Sequence, residues 1–246
     1  MMTVAQNDWA IEVKSLTKSF GNHLALGGID LRVEWGKTLA IFGPNGAGKT
    51  TLIKVLANIM KPSSGEILVD GLNLKEGAEE IRPRIGVVTH QTFLYSNLTA
   101  YENLKFYCQM YDVPGFKQRI HQVVAMVGME SRLYDKVGTL SRGMQQRLSL
   151  ARALLHSPAV MLLDEPETGL DQQAISMLWG ALKKEEAAKR TIILTSHSLE
   201  RGLTVCDQLV ILNQGKIVYQ KPGKELDLAG LRQAYMDSTG ARSEVC

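Results

Sequence analysis

Residues 43–50 read Gly-Pro-Asn-Gly-Ala-Gly-Lys-Thr, which matches the pattern G-x-x-x-x-G-K-S/T. A continuous apolar run, Leu39-Ala40-Ile41-Phe42, precedes it and predicts a fully buried strand, and a helix is expected from Lys49 to Ile59. Glycines allow backbone N–H groups to turn inward around a polyphosphate, and the N-terminus of a helix attracts anions. The stretch therefore predicts a strand, loop and helix that bind a nucleoside triphosphate.

Two side chains of this loop supply charge and a metal ligand. Lys49 is expected to place its ammonium group on the β- and γ-phosphates, and the Thr50 hydroxyl is expected to coordinate Mg²⁺. The alternative is a turn that happens to contain a lysine. We expect ATP and Mg²⁺ as cofactors, with contacts from the loop residues Gly43, Pro44, Asn45, Gly46, Ala47, Gly48, Lys49, Thr50 and Thr51.

A second candidate site follows the apolar run 160–163, where two acids, Asp164 and Glu165, end the predicted strand. Ligands of parallel sheets bind at the carboxyl ends of the strands. Asp164 is expected to hold Mg²⁺ through water, and Glu165 to polarise the attacking water as general base. Taken alone, such a run is equally a strand that leads into a solvated turn, so the prediction depends on the phosphate loop.

The periodicity of apolar residues predicts an α/β fold: a P-loop NTPase core with a mainly parallel sheet, an N-terminal antiparallel β subdomain and an inserted α-helical subdomain. Ile11–Leu16 and Ile29–Glu34 alternate as antiparallel strands do, whereas residues 92–158 show helical spacing from Leu98 onward, with Ser141 capping a helix to Leu155. We expect a single nucleotide-binding domain over 1–246, with a RecA-like core at 1–91 and 159–221, the helical subdomain at 92–158 and an extension at 222–246. Further predicted elements are strands 65–69, 85–89, 191–195, 208–212 and 216–219, and helices 172–187 and 199–205.

Composition limits the classes of function. The 246 residues are 45% hydrophobic and 22% charged, as in globular proteins, and the net charge of +3 is not concentrated in a basic tract. We therefore expect no nucleic-acid partner. Asp8 and Glu12 lie where a signal peptide would be apolar, and no apolar run approaches the roughly 20 residues of a membrane helix. The expected location is cytoplasmic, with any membrane role exerted through a partner.

These motifs together resemble the ABC family of ATPases, and the resemblance covers nearly the whole chain. Residues 140–146, Leu-Ser-Arg-Gly-Met-Gln-Gln, are similar to the family signature LSGGQ, with Arg142 and Met144 as departures. Gln91 resembles the loop glutamine, Gly169-Leu170-Asp171 the dimer loop, and Thr195-Ser196-His197 the switch histidine. The order and spacing of the motifs carry the resemblance, since no one of them beyond the phosphate loop is specific.

The resemblance implies a dimer in which two copies sandwich two ATP molecules. Ser141 and Gly143 would contact the γ-phosphate bound by the opposite subunit, and Gln91 would join Mg²⁺ and communicate with a membrane partner. His197 would contact the γ-phosphate and orient the water with Glu165, unless it is a core histidine that closes a strand. Phe20 stands where the family stacks an aromatic ring on adenine, and its alternative is ordinary packing.

The resemblance is nearest to single-domain exporter ATPases, a group that includes the haem-exporter subunit of cytochrome c maturation. The expected partners are a second ATPase subunit and multi-span membrane permease subunits, with the protein peripheral on the inner face of the cell membrane. The alternative is the soluble ABC ATPase of iron–sulfur cluster assembly. Residues 91–95 are expected to receive a helix of the membrane partner through an exposed Phe93 or Leu94, unless both pack into the helical subdomain.

Overall fold

The computed structural model describes residues 8–168, 170–183 and 190–240. Its strands are β1 (Trp9–Phe20), β2 (His23–Glu34), β3 (Thr38–Phe42), β4 (Ser64–Val69), β5 (Leu72–Asn73), β6 (Ile85–Val88), β7 (Val160–Asp164), β8 (Thr191–Thr195), β9 (Gln208–Asn213) and β10 (Lys216–Pro222). Its α-helices are α1 (Lys49–Leu56), α2 (Ala78–Ile81), α3 (Ala100–Met110), α4 (Phe116–Met126), α5 (Arg142–Leu154), α6 (Gln172–Lys183), α7 (Leu199–Val205) and α8 (Leu228–Thr239). Short 3₁₀-helices lie at Arg82–Arg84, Glu130–Arg132, Val137–Thr139 and Gly223–Glu225.

The described strands form two sheets. One is antiparallel, with the order β2-β1-β4-β5. The other has the order β10-β9-β3-β8-β7-β6 and is parallel from β9 to β6, while β10 joins its edge in antiparallel pairing. The mainly parallel core sheet and the N-terminal antiparallel sheet are thus confirmed, and the fold class is α/β.

The central strand β3 shows why the parallel sheet is buried on both faces. Its side chains alternate in direction, so that Leu39 and Ile41 join one hydrophobic core and Ala40 and Phe42 join a second. The first core contains α1 and the antiparallel sheet, and the second contains α3 to α8 on the opposite face. A continuous apolar sequence suits such a strand, because neither of its faces meets water.

The helical subdomain is an insertion between two neighbouring strands of the parallel sheet. Helices α3, α4 and α5 follow β6 and precede β7, which confirms the predicted insertion. Helix α5 begins as predicted, because Ser141 Oγ accepts a hydrogen bond from the backbone N–H of Met144 at 3.3 Å. Helix α3 begins at Ala100 after a capping box formed by Thr99 and Glu102, two residues after Leu98, where the predicted helical spacing begins. The predicted domain boundaries themselves stay a prediction.

One helix end differs from its prediction, one predicted end lies outside the described residues, and one helix was not predicted. Helix α1 ends at Leu56 rather than Ile59, because Asn58 adopts a left-handed conformation with φ of +55° and the following N–H groups turn back to the carbonyl of Lys54. Helix α6 is described as far as Lys183, so the rest of its predicted length lies outside the described residues. Helix α8 was not predicted, since Leu231 is its one buried residue and its apolar periodicity is weak.

The helices of the described residues are short. The longest of them, α5, has 13 residues, whereas a membrane-spanning helix needs roughly 20. None of the described helices is long and apolar enough to cross a bilayer.

Candidate functional site

The phosphate loop turns sharply between β3 and α1. Gly43, Gly46 and Gly48 all have positive φ values, of +149°, +78° and +104°. A Cβ atom on Gly43 would lie 2.1 Å from the carbonyl oxygen of Leu212, and one on Gly48 would lie 2.6 Å from that of Ala25. Only glycine fits these two positions, because a side chain would collide with backbone atoms that cannot yield. The loop therefore packs closely against the backbone of Leu212 and Ala25, while Asn45 and Gly46 are exposed.

Lys49 is the first residue of α1, and its side chain folds back over the loop. The residue is 6% exposed, and Nζ donates hydrogen bonds to the carbonyl oxygens of Gly43 at 2.7 Å and Pro44 at 3.1 Å. Burial lowers the pKa of Lys49, while the nearby charges of Glu165 and Asp164 act in the opposite direction. The ammonium group thus lies in the curve of the loop, bound to backbone carbonyls, where a phosphate oxygen would be a stronger partner.

Asp164 is held at the end of β7 by two hydroxyl groups. Thr50 Oγ1 and Thr195 Oγ1 both donate to Asp164 Oδ1, at 3.1 Å and 2.8 Å, and Asp164 is 3% exposed. A hydroxyl from the loop and a carboxylate from the sheet edge therefore lie within one hydrogen bond of each other. A hard divalent cation prefers this pair of oxygen donors.

Glu165 and His197 contact each other directly. The distance from His197 Nε2 to Glu165 Oε1 is 2.5 Å, and the histidine side chain is half exposed. Glu165 has a left-handed backbone with φ of +51°, which is uncommon for a residue other than glycine. His197 follows β8, so neighbouring strands bring the two predicted catalytic side chains together. The structure does not support the alternative of a core histidine, because the ring is exposed.

Phe20 lies at the rim of the same depression. A hollow of about 260 Å³ is lined by Phe20, the loop residues from Asn45 to Thr51, and Glu165. The Phe20 ring is 46% exposed, and the ammonium group of Lys18 lies 5.1 Å from its centroid. An exposed ring beside a phosphate loop has a free face on which a flat base can stack.

The remaining predicted residues lie apart from this hollow. Gln91 is exposed in the loop after β6, where its backbone is held by Thr89 Oγ1. Ser141 is exposed and Gly143 half-buried at the start of α5, and neither lines the hollow of its own chain. Gly169 of the dimer-loop motif lies outside the described residues, and Asp171 caps α6 through a 2.8 Å bond from the N–H of Ala174.

Sequence reasoning missed the part that Thr195 takes in this site. Its hydroxyl donates to Asp164 and also accepts the backbone N–H of Glu165 at 3.0 Å, so it joins the two acids. The signal lies in the strand pairing, since Asp164 and Thr195 are register partners on the parallel strands β7 and β8. A threonine that ends one predicted strand, where a neighbouring strand ends in two acids, could have indicated this role of Thr195.

The parallel sheet, the phosphate loop and the acids at the end of β7 define a nucleotide-binding protein of the P-loop class. The family model described as ABC transporter matches residues 26–168, and the chain belongs to this family. Over 220 residues it is 34% identical to "Nod factor export ATP-binding protein I" of Cupriavidus metallidurans, covering 88% of this chain and 73% of the relative. It is 32% identical over 210 residues to "Linearmycin resistance ATP-binding protein LnrL" of Bacillus subtilis, covering 85% and 68%.

Solved structures agree with this family. An ATP-binding subunit of an ABC transporter superimposes with a TM-score of 0.84 at 29% identity, covering 93% of this chain and 98% of that one. A dimeric ATP-binding cassette in a post-hydrolysis state, bound to ADP and Pi, gives 0.79 at 27% identity, covering 86% and 98%. CbiO1 of Clostridium perfringens, part of the transporter complex cbiONQ, gives 0.77 at 29%, covering 89% and 90%. The chain is the ATP-binding, ATP-hydrolysing subunit of an ABC transporter, as predicted, and haem as cargo stays a prediction.

Proposed function

We propose that this ATPase powers an exporter by closing and opening an ATP-sandwich dimer beneath multi-span membrane subunits. One observation supports the dimer. Ser141 is exposed at the start of α5 and does not line the hollow beside the phosphate loop of its own chain. A second copy can bring its own α5 to that hollow, and ATP would then join the two surfaces until hydrolysis releases them. The exporter direction is supported by the relative named for Nod factor export.

In this proposal, Thr50 and Asp164 hold Mg²⁺, and Gln91 completes its ligands from the loop after β6. The 3.1 Å hydrogen bond from Thr50 Oγ1 to Asp164 Oδ1 supports the fit, since the two oxygen donors already lie next to each other. When bound, Mg²⁺ neutralises charge on the β- and γ-phosphates of ATP. The loop from Gly43 to Thr51 binds the phosphates, with the Lys49 ammonium group on the γ-phosphate and the Phe20 ring against the adenine.

Glu165 and His197 would act on the attacking water in this mechanism. The Glu165 carboxylate accepts a proton from the water as general base, and His197, which contacts Glu165 at 2.5 Å, orients the γ-phosphate and the water. Thr195 holds Asp164 and the backbone of Glu165 in place by its hydroxyl. Asp164, Glu165, Thr195 and His197, at the ends of β7 and β8, thus each have one role in this mechanism.

The composite site predicts complementation between two inactive variants. Ser141→Arg is expected to lower ATP hydrolysis at least about 100-fold and to leave ATP binding by the isolated subunit unchanged, because its hydroxyl serves the opposite site. Lys49→Ala inactivates its own site. A heterodimer of the two variants contains one intact site, so mixing them is expected to restore activity that neither shows alone.

The measurement is ATPase activity during titration of one variant with the other, with nucleotide binding followed separately. The control is Lys49→Ala mixed with itself, which offers no intact site at any ratio. Loss of ATP binding by the Ser141 variant alone would assign Ser141 a structural role at the start of α5. Absence of any recovery on mixing would contradict the sandwich dimer.

The membrane partner would bind where the two subdomains meet, beside residues 91–95. Tyr95 is 51% exposed there, and its ring packs edge-on against Phe106 at 5.5 Å. The expectation of an exposed Phe93 or Leu94 is wrong: Leu94 packs against the helical core, and Phe93 is half-buried with its carbonyl oxygen bound by the hydroxyl of Tyr107. The exposed aromatic residue of this segment is thus Tyr95.

Removing the aromatic rings of this segment is expected to weaken the membrane complex. The double variant Phe93→Ala/Tyr95→Ala is expected to bind its membrane partner about tenfold or more weakly, as truncated aromatic anchors do. Tyr101→Ala/Tyr134→Ala is the matched control, because Tyr101 is half-buried, Tyr134 is exposed and the two rings pair at 5.7 Å elsewhere on the helical subdomain.

The test is affinity purification of the tagged protein from detergent-solubilised native membranes and from the soluble fraction. Recovery of a multi-span protein with wild type and the control, and its loss with the double variant, is expected. It would also support a location on the cytoplasmic face of the membrane. Recovery of a soluble scaffold as the main partner would instead favour the ATPase of iron–sulfur cluster assembly.

A further inference from the structure

A second hollow adjoins the contact between Glu165 and His197. It has a volume of about 170 Å³ and shares Glu165 with the hollow beside the phosphate loop. Residues 165–168, which we name the acid loop, form one side of it, and residues 196–198, the histidine loop, form another, with contributions from α6 and α7. Both loops border open space here, whereas a protein core is close-packed. Packing alone therefore does not fix the separation of Glu165 and His197.

Glu167 lines this second hollow and uses both of its carboxylate oxygens there. Oε1 accepts a hydrogen bond from the indole Nε1–H of Trp179 on α6 at 2.7 Å. Oε2 lies 3.3 Å from a terminal guanidinium nitrogen of Arg201 on α7 and forms an ion pair with it. The Glu167 side chain is 15% exposed, so salt screens this pair less than a pair at the open surface. One side chain of the acid loop thus binds two different helices.

Arg201 is joined to the histidine loop through the start of α7. Its backbone N–H donates to Ser198 Oγ at 3.3 Å, and Ser198 caps this helix. The N–H of Ser198 donates to Ser196 Oγ at 3.1 Å, and the Ser196 hydroxyl donates to the carbonyl oxygen of Ser198 at 3.2 Å. His197 lies between these two serines. The position of Arg201 is therefore tied to that of His197.

Glu165 and Glu167 belong to one tight turn. The N–H of Thr168 donates to the carbonyl oxygen of Glu165 at 3.1 Å, which closes the turn around Glu167. Glu165 begins the turn in its left-handed conformation, with φ of +51°. Such a conformation persists only where the surrounding contacts hold it. The ion pair of Glu167 with Arg201 is a contact of this kind, two residues from Glu165.

We propose that Glu167 is a positioning residue for ATP hydrolysis: its ion pair with Arg201 holds the acid loop against the histidine loop and so sets the distance between Glu165 and His197. The inference rests on the proposed function, in which those two side chains act on the attacking water. A general base must lie within hydrogen-bond reach of that water, and a displacement of about 1 Å can slow a reaction about 100-fold. Glu167 does not line the hollow beside the phosphate loop, so it acts through Glu165.

Glu167→Gln separates the ion pair from the bond to Trp179. The amide oxygen still accepts the indole N–H, whereas the neutral amide no longer pairs with the charge of Arg201. We expect kcat to fall about tenfold, while the Kd for ATP, measured by fluorescent ATP titration, changes less than about twofold. Arg201→Met removes the other half of the pair and is expected to lower kcat equally. The double variant should fall no further, because all three variants lack the same ion pair.

Two further variants serve as controls. Arg201→Lys keeps the positive charge, so it is expected to retain kcat within about threefold of wild type. Arg132→Met is the matched control for the loss of an arginine, because Arg132 pairs with Asp135 at 3.1 Å on the helical subdomain and lines neither hollow. It should hydrolyse ATP as wild type does.

Thermal unfolding of each variant shows whether the fold is retained. The Arg201 side chain is 47% exposed, so its variants are expected to fold. Should Glu167→Gln fail to fold, the comparison of Arg201→Met with Arg201→Lys decides the matter.

The Glu165→Gln background shows whether Glu167 acts through Glu165. The general base is already lost in that background, so adding Glu167→Gln is expected to slow single-turnover hydrolysis less than about twofold further. A residue that only stabilises the fold would slow both backgrounds equally. A further loss of about tenfold in the Glu165→Gln background would therefore overturn the positioning role.

The outcomes separate this inference from the proposed function. Wild-type turnover by Glu165→Gln would overturn the proposed role of Glu165 itself. Slow turnover by Glu165→Gln, together with wild-type kcat for Glu167→Gln and Arg201→Met, would overturn the inference alone. Weakened ATP binding by Glu167→Gln, in step with its loss of kcat, would do the same and would leave Glu167 with a structural role.

Discussion

Replacing Glu165 with Gln is expected to slow ATP turnover at least about 100-fold and to leave ATP binding intact, because the amide cannot accept a proton from water. The shape of the side chain is kept, and an amide can still hydrogen-bond His197, whose Nε2 lies 2.5 Å from Glu165 Oε1. With hydrolysis blocked, ATP would continue to join two subunits. The variant is therefore expected to accumulate as an ATP-bound dimer.

Single-turnover hydrolysis and analytical sedimentation with saturating ATP measure these two effects. Glu200→Gln is the control, because Glu200 is an exposed acid in the first turn of α7, three residues from His197, and is not part of the hollow. It should hydrolyse ATP as wild type does. A Glu165→Gln variant that stays monomeric with ATP would show that the sandwich is wrong for this chain, and wild-type turnover would remove Glu165 from the mechanism.

Replacing Lys49 with Ala is expected to abolish ATP hydrolysis, with a loss of at least about 100-fold, and to weaken ATP binding. The ammonium group is buried over the phosphate loop, where its bonds to the carbonyl oxygens of Gly43 and Pro44 hold it in position. Removing it leaves the γ-phosphate without its cation. The fold is expected to persist, since the loop is also held by backbone bonds, from the N–H of Gly215 to the carbonyl of Ala47 at 3.0 Å and from the N–H of Leu52 to that of Gly48 at 2.9 Å.

Lys54→Ala is the matched control on the same helix, because Lys54 lies in the last turn of α1 and not in the hollow. Fluorescent ATP titration, steady-state hydrolysis and thermal unfolding distinguish the two variants. Equal activity of Lys49→Ala and wild type would contradict the assignment of the loop. A large drop in unfolding temperature for Lys49→Ala would show that Lys49 serves the fold as well.

Local sequence patterns were sufficient to predict the bounds of elements whose burial follows a regular pattern along the chain. The strand Thr191–Thr195 and the helix Leu199–Val205 have the bounds that were predicted; the structure buries the apolar strand throughout and caps the helix with Ser198. The family resemblance implied that Glu165 and His197 act on the same water, whereas their direct contact is a finding of the structure. The position of these side chains at one sheet edge follows from the pairing of β7 with β8.

Features that depend on distant parts of the chain could not be predicted in this way. The orientation of Phe93 depends on Tyr107 and Arg152, which belong to different helices of the insertion. Arg152 itself lies in an ordinary helical sequence, and only the folded structure shows that its charge is buried with no acidic partner among the described residues. The left-handed conformation of Asn58 likewise ends α1 early. No proline or glycine at this position indicated that end in the sequence.

Ser141 lies apart from the phosphate loop of its own chain, and this separation affects how the specific activity depends on protein concentration. If each active site takes halves from two chains, specific activity in dilute solution should rise with protein concentration instead of staying constant. Membrane subunits that each carry one copy would hold the two ATPases at a millimolar effective concentration, as short tethers do. Assembly on the membrane would then switch on hydrolysis by proximity alone, and free copies would waste little ATP.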